Sequence, residues 1–463
     1  MIDASSANER VISKASKEGI SDVECFSLNW RTRCVYIEDS RPSYSIEDEE
    51  SGIGVKVAVG KRVGFASSSL VKEEDALATL YSAIRIARLS PKDPHFESFP
   101  PAKKVRKTVE GVYEKSILET TTEELMDRAI SVVQSARETE GVEVPKGMIR
   151  TQEYEFRISN STGLENGHRG TLLFLSFSSK IAKSGKSGEG IEKVYSTGLE
   201  EVDFPLIGEK IATRALNTLS AQPFKGKLEA PTIIANVELG QMLLSSLAFA
   251  VSGENVNRKR SPWLDKIGSK MFSDELFIED SPLLPGGMQS AAIDDEGTPT
   301  RNRTLIEDGI LKRFVYDHYN ARISEQEAGN GFRRGVGTIE KSYLAPASCS
   351  VSNLTVKPGR KSLEEMIGEL DRGIYVEKFA APEVNQFSGA FGLEVRNAAL
   401  IEKGETRKFV KFALLTGNLY EALGKILMIG NDCAFGGPYI VSDSGDAYCP
   451  SVTFEGFQLV GQE

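Results

Sequence analysis

The sequence predicts an α+β fold: N-terminal α/β units of antiparallel strands with flanking helices, then a strand-rich, barrel-like C-terminal domain. Three observations carry this reading. Helical spacing of apolar residues and two-residue strand alternation both occur repeatedly in the first half. Beyond residue 231 the chain shifts to short apolar runs broken by Gly, Pro and Asn. Its 463 residues are 40 % hydrophobic and 26 % charged, the composition of a globular protein. At roughly 150 residues per domain this length predicts about three domains, placed at 1–100, 101–226 and 227–463.

Val11, Ile12 and Ala15 recur at helical spacing after Asn8, read as an N-cap, and Gly19 stops the run. Residues 23–30 and 33–37 read as a strand hairpin, and residues 51–66 as two further strands turning at Gly60-Lys61. Ala76, Leu77, Leu80, Ala83, Ile84 and Ala87 mark a helix, and Pro91, Pro94, Pro100 and Pro101 the first linker. Thr121-Thr122-Glu123-Glu124 is a capping-box pattern leading into a helix over residues 125–137. Strands follow over residues 142–197, around a turn at 160–167, and a helix over 207–219. The C-terminal part predicts helices only at 237–251, 363–370 and 419–426. No repeat of 20–50 residues is visible.

Lys+Arg number 56 against 66 Asp+Glu, a net charge of −10, which argues against a general nucleic-acid binder. The longest apolar stretch, residues 243–253, falls far short of the ~20 residues a membrane span needs. Met1-Ile2-Asp3-Ala4 offers neither the basic nor the apolar region of a signal peptide. Five scattered cysteines (Cys25, Cys34, Cys349, Cys433, Cys449) lack any Cys-x-x-Cys spacing, so neither a disulfide framework nor a four-Cys zinc site is expected. The expectation is a cytoplasmic, reduced protein without cofactor.

The chemistry-bearing motifs are weak. His95, His168 and His318 are the three histidines, too far apart to share a helix face. Gly185-Lys186-Ser187 lacks the upstream glycine of a P-loop, since Lys180 stands there, and reads as a hairpin loop. The run Gly329-Asn330-Gly331-Phe332-Arg333-Arg334-Gly335 misses the dinucleotide fingerprint by one residue and reads as a mobile surface loop. Asp294-Asp295-Glu296-Gly297 concentrates carboxylates without EF-hand spacing and reads as a solvated turn. His318 lies in an alternating, strand-like run, and His168 in a turn where it is expected exposed. No Gly-x-Ser-x-Gly elbow exists.

Gly52-Ile53-Gly54-Val55-Lys56-Val57 with Gly64-Phe65-Ala66-Ser67, then Ser252-Gly253-Glu254, residues 280–287 and Asp294-Asp295-Glu296-Gly297-Thr298-Pro299 form an ordered series of motifs. Asn353-Leu354, Pro358-Gly359, Gly389-Ala390-Phe391 and Gly417-Asn418-Leu419 continue it. Together they resemble the TldD/TldE (PmbA) family, once called modulators of DNA gyrase and understood as a two-subunit metalloprotease system. The likeness spans nearly the whole chain and is greatest to the TldE-type subunit.

The resemblance implies a site by what is missing. Catalytic members carry a His-Glu-x-x-x-His helix and a C-terminal cysteine as zinc ligands. Here Ser245 and Ala250 fall at the histidine positions, Ser246 at the glutamate, and Cys433 roughly at the cysteine. A hydroxyl and a methyl cannot replace two imidazoles, because zinc needs about three N, S or carboxylate donors. The resemblance thus implies a non-catalytic subunit that pairs with a zinc-bearing TldD-type partner and helps enclose unfolded peptide. The strand around Phe387, Ser388, Gly389 and Phe391 is the expected peptide contact, with Gly392 where the family often has Ser. Two alternatives stand beside it: an enzyme using Cys433, or the Asp294–Glu296 cluster with His318, and a homodimeric, non-enzymatic peptide-binding or gyrase-modulating protein.

Overall fold

Amphipathic helix α1 (Ala4–Lys17) opens the chain. The computed structural model describes residues 4–70, 72–105, 108–334, 341–437 and 445–461. Met1, Ile2, Asp3 and Gly335, which figured in the readings above, lie outside the described residues. Asn8 is not an N-cap but lies inside α1, fully buried, where its amide donates to the Cys25 carbonyl at 3.4 Å and accepts from the Ser27 hydroxyl. A buried amide needs such partners, and these tie α1 to the sheet beneath.

The stretches at 23–30 and 33–37 form one uninterrupted strand, β1 (Asp22–Glu38), rather than a hairpin. Reversal comes later, at Asp39-Ser40, both at positive φ, and the chain returns as β2 (Arg41–Val59) and β3 (Arg62–Ser69). Gly60 and Lys61, also at positive φ, make the tight turn the sequence predicts. Helix α2 (Glu73–Leu89) follows, then the linker, short α3 (Lys115–Glu119) and α4 (Thr122–Arg137), whose capping box forms as expected on Thr121 and Glu124. Strands β4 (Val142–Asn160), β5 (Glu165–Lys183) and β6 (Lys186–Ser196) lead to α5 (Phe204–Ser220). Of the Gly185-Lys186-Ser187 segment, Gly185 forms the turn between β5 and β6 with Ser184, and Lys186 and Ser187 begin β6.

These elements build one antiparallel sheet in the order β3-β2-β1-β4-β5-β6. Helix, three strands, helix occur twice, related by a local twofold between β1 and β4. The repeat is longer than 20–50 residues: a shift of 124 positions carries β2 onto β5 end to end. It also carries Gly64 onto Gly188. A Cβ on Gly64 would lie 2.3 Å from the Ala83 carbonyl of α2, and one on Gly188 2.1 Å from the Ala215 carbonyl of α5. Glycine at both sites lets a helix pack closely on the face of each edge strand.

The C-terminal part is strand-rich. A ten-stranded sheet forms a half-barrel, its longest strand Ala390–Glu402 flanked by Arg372–Phe379 and by Ala413–Asn418. A six-stranded sheet, including Asn353–Val356 paired parallel with Asp446–Cys449, completes the domain. Between them lies α6 (Asn236–Val251), whose Leu239, Leu243 and Leu247 enter the largest apolar core. Leu363–Gly368 is helical as predicted, but the helix at 419 stops at Ala422 and the chain resumes as the strand Ile426–Ile429.

Candidate functional site

Helix α6 is mostly apolar, as a helix buried on nearly every side must be. Past its first turn every residue is buried except Ser245 and Phe249, which lie one turn apart on one face. That face looks onto residues 384–389. The Ser245 hydroxyl accepts from the Val384 amide at 3.1 Å and donates to the Met242 carbonyl at 3.0 Å. The Phe249 ring meets the Phe387 ring edge-on, with centroids 4.9 Å apart.

The segment opposite is a braced turn. Asn385 accepts from the amides of Phe387 and Ser388 at 3.0 Å, and its own amide donates to the Ala390 carbonyl at 3.0 Å. Gly389 supplies the left-handed conformation at φ 76° that closes the turn. The strand begins only at Ala390, so Phe387, Ser388 and Gly389 precede it instead of forming part of it. Phe387 stands 55 % exposed at the tip, whereas Phe391 is buried against Phe457. The structure thus brings Ser245 and the Phe387 turn together, and Phe391 apart from them.

The α6 positions do not fit a zinc ion. Ser246 is buried and donates to the Met242 carbonyl at 2.6 Å, and Ala250 is fully buried beneath Ser261. Cys433 follows Asp432, whose carbonyl accepts from the Asn236 amide at the start of α6. Ser245 is nine residues further along, about 14 Å at 1.5 Å per residue, so the thiol and the hydroxyl sit at different levels of the helix. Burial, with Asp432 adding to it, pushes the Cys433 thiol up to about 11. Among the described residues no group of three or more His, Cys, Asp or Glu is arranged to hold a metal.

Composition and spacing missed a second site, a buried charge network where the N-terminal sheet meets the C-terminal domain. Asp294, Asp295 and Glu296 are not a solvated turn. Each is 4 % exposed or less. Asp294 accepts from the amides of Thr298 at 2.8 Å and Gly331 at 3.0 Å; burial raises its carboxyl to about 7 against these donors. Asp295 takes the Lys341 ammonium at 2.9 Å and the Arg333 amide at 2.7 Å. Arg333 reaches Glu24 of β1 and lies 4.7 Å above the Phe26 ring. The run from Gly329 to Arg334 is therefore interior chain, not a mobile surface loop. A density of opposite charges in Asp294–Glu296 and Arg333–Arg334 was the available sign, since buried charges come in pairs.

His318 begins a short helix, His318–Ile323, capped by Asp317, and is not in a strand. Its amide donates to Glu296 at 2.7 Å, while its ring nitrogen Nε2 lies 3.1 Å from the Ser98 carbonyl. Burial lowers its pKa, so the ring is held neutral. His168 sits half-buried on β5, not exposed in a turn, and burial lowers it to about 3. Cys449, buried, donates to the Asn236 carbonyl at 3.1 Å. No helix of the described residues is long and apolar enough to cross a membrane.

Three consecutive stretches match one family. Residues 23–87 match PmbA/TldA metallopeptidase domain 1, residues 115–219 the central domain and residues 227–461 the C-terminal domain. A metalloprotease TldD homolog of Buchnera aphidicola subsp. Acyrthosiphon pisum is 27 % identical over 405 residues, 83 % of this chain and 80 % of its own. Metalloprotease PmbA of Escherichia coli O157:H7 is 25 % identical over 434 residues, 90 % and 87 % of the two chains. In fold, the crystal structure of TldE from Thermococcus kodakarensis is similar, with a TM-score of 0.88, 24 % identity and coverage of 98 % of this chain and 100 % of that one. With most of its length matched domain by domain, the chain belongs to the PmbA/TldD metallopeptidase family.

Proposed function

We propose that this protein is the non-catalytic subunit of a TldD/TldE-type zinc peptidase, which pairs with a zinc-bearing subunit and helps enclose and bind unfolded peptide for cleavage. The observation that carries the reading is the state of α6. Its three positions that answer to a zinc helix are a hydroxyl tied to backbone on both sides, a second buried hydroxyl and a buried methyl. Such groups neither grip Zn²⁺ nor acidify its water.

The turn above that face offers a peptide contact instead of a reacting group. Phe387 presents an apolar ring held in place by Phe249 and by the Asn385 turn, so docking an extended chain against it orders little that is not already ordered.

The test is co-purification with a family member that carries His-Glu-x-x-x-His, followed by zinc analysis and cleavage of unfolded casein. The complex is expected to hold zinc and cleave, and the lone chain to do neither. Phe387→Ala is expected to raise the KM of the complex with its zinc content unchanged. Stoichiometric zinc and proteolysis by the chain alone would overturn the proposal.

A further inference from the structure

The local twofold of the N-terminal sheet exposes an asymmetry. In each repeat the middle strand outruns the edge strand beside it: β3 pairs with β2 only from Gly52 onward, and β6 with β5 only from Leu173 onward. In the second repeat the chain's own linker meets the inner end of the protruding half of β5, through one backbone bond at Thr171 and the Asn166 side chain, while Glu165, Gly167 and Arg169 stay exposed. Thr171 donates its amide to the Val112 carbonyl at 2.9 Å, and Asn166 donates to the Lys103 carbonyl at 3.0 Å. Of the linker residues, Lys103, whose carbonyl takes the Asn166 side chain, and Lys104 are basic.

In the first repeat no backbone group of the described residues bonds the outward edge of the equivalent half of β2; on the helix side the Thr122 hydroxyl of α4 reaches the Glu47 side chain at 3.1 Å. Residues 41–49 are exposed throughout. Since Ser51 turns its carbonyl outward to the Leu70 amide, strand alternation turns the amides and carbonyls of Ser45, Glu47 and Glu49 outward as well. Glu47 is the counterpart of Thr171 under the 124-residue shift. Beside this edge, Tyr44 and Ile46 are 49 % and 44 % exposed on the helix-free face, with Tyr44 stacked on Tyr36 at 4.3 Å. The run Glu47-Asp48-Glu49-Glu50 is acidic, and Arg33 and Arg31 across the ladder offset only two of its charges.

We infer that the edge of β2 over residues 43–49 is a docking site for a basic, extended segment of a partner polypeptide, added as a further antiparallel strand. Main-chain bonds to Ser45, Glu47 and Glu49 give the affinity, and apolar side chains on one face of the incoming strand settle on Tyr44 and Ile46. The second repeat accepts a backbone carbonyl at the matching position, Val112 on Thr171, and the acidic run beside the bare edge of β2 selects a basic chain. A second copy of this protein is the wrong partner, because antiparallel self-pairing would set the acidic runs against one another. Pro42 and the charges, which protect a bare edge from indiscriminate pairing, leave it open to a complementary one.

The probe is a fluorescein-labelled peptide of residues 101–112, titrated with the whole chain and followed by anisotropy. Saturable binding that weakens as salt rises is expected, with none for a peptide whose Lys and Arg are replaced by Glu. Ser45→Pro, which removes one outward donor without touching the β1 ladder, is expected to weaken binding about tenfold or more. Asp48→Lys/Glu49→Lys keeps every backbone group and is expected to abolish the salt dependence, which holds the test open should the proline variant not fold. No saturation up to about 1 mM, or equal binding by wild type and both variants, overturns the inference. So does a dimer in light scattering that Ser45→Pro dissociates, since the occupant would then be a second copy.

Discussion

Glu24 on β1 accepts a hydrogen bond at 2.5 Å from Arg333 of the C-terminal domain, and neither side chain is more than 2 % exposed. The pair therefore fixes how the N-terminal sheet sits on the rest of the molecule. Removing one partner strands the other charge in the interior, so Glu24→Ala is expected to lower the unfolding free energy by about 3–5 kcal/mol. Glu24→Leu/Arg333→Met, which removes both charges, is expected to cost markedly less. Urea unfolding of the three proteins checks this, and equal losses in the single and double variants would contradict it.

Glu296 gives the interface a pH dependence. Burial raises its carboxyl well above the ordinary value, with Asp317 and Asp294 adding to the effect. A raised acid favours the folded state while protonated; that contribution is complete below about pH 4.3 and is lost as pH rises through the folded pKa. Glu296→Gln cannot ionise, so its melting temperature relative to wild type is expected to climb between pH 5 and pH 8. Parallel melting curves across that range would show the carboxyl to be ionised throughout.

Rebuilding a zinc helix on α6 is expected to fail. Ala250→His forces an imidazole into a fully buried position, at a cost of at least about 1–3 kcal/mol from overpacking alone. Ser245→His/Ser246→Glu/Ala250→His is expected to melt lower than wild type and to retain less than one zinc per chain after dialysis. A full complement of zinc at an unchanged melting temperature would mean that the helix face opens.

The Cys433 thiol, half-buried and pushed up to about 11, is expected to be a poor nucleophile at neutral pH. Iodoacetamide labelling followed by mass spectrometry should give a rate below that of a free cysteine at pH 7.5 and still rising at pH 10. A plateau near neutrality would restore this residue as a catalytic candidate.

Most of the regular elements were readable because they bury one face. The spacing of Leu80, Ala83 and Ala87, the capping box at Thr121 and the glycine turn at Gly60 each state a local preference that packing then confirms. What failed had no local expression. Asn8 looks like a cap until Ser27 and Cys25 arrive from a neighbouring strand, and Arg333 looks like solvent until Glu24, 309 residues away, meets it. The face of α6 was visible as an apolar helix, but only the fold singles out Ser245 and Phe249 as its opening. The internal repeat escaped because it is carried by lengths and a few glycines, not by similar residues.

The seam between β1 and β4 joins positions more than a hundred residues apart. While the chain is being synthesised, β1 must wait with one flank bare until residue 160 has left the ribosome, a long interval in which unpaired backbone invites wrong partners. The early hairpin with β2 covers its other flank meanwhile, so synthesis order itself favours a half-sheet that is stored first and finished late.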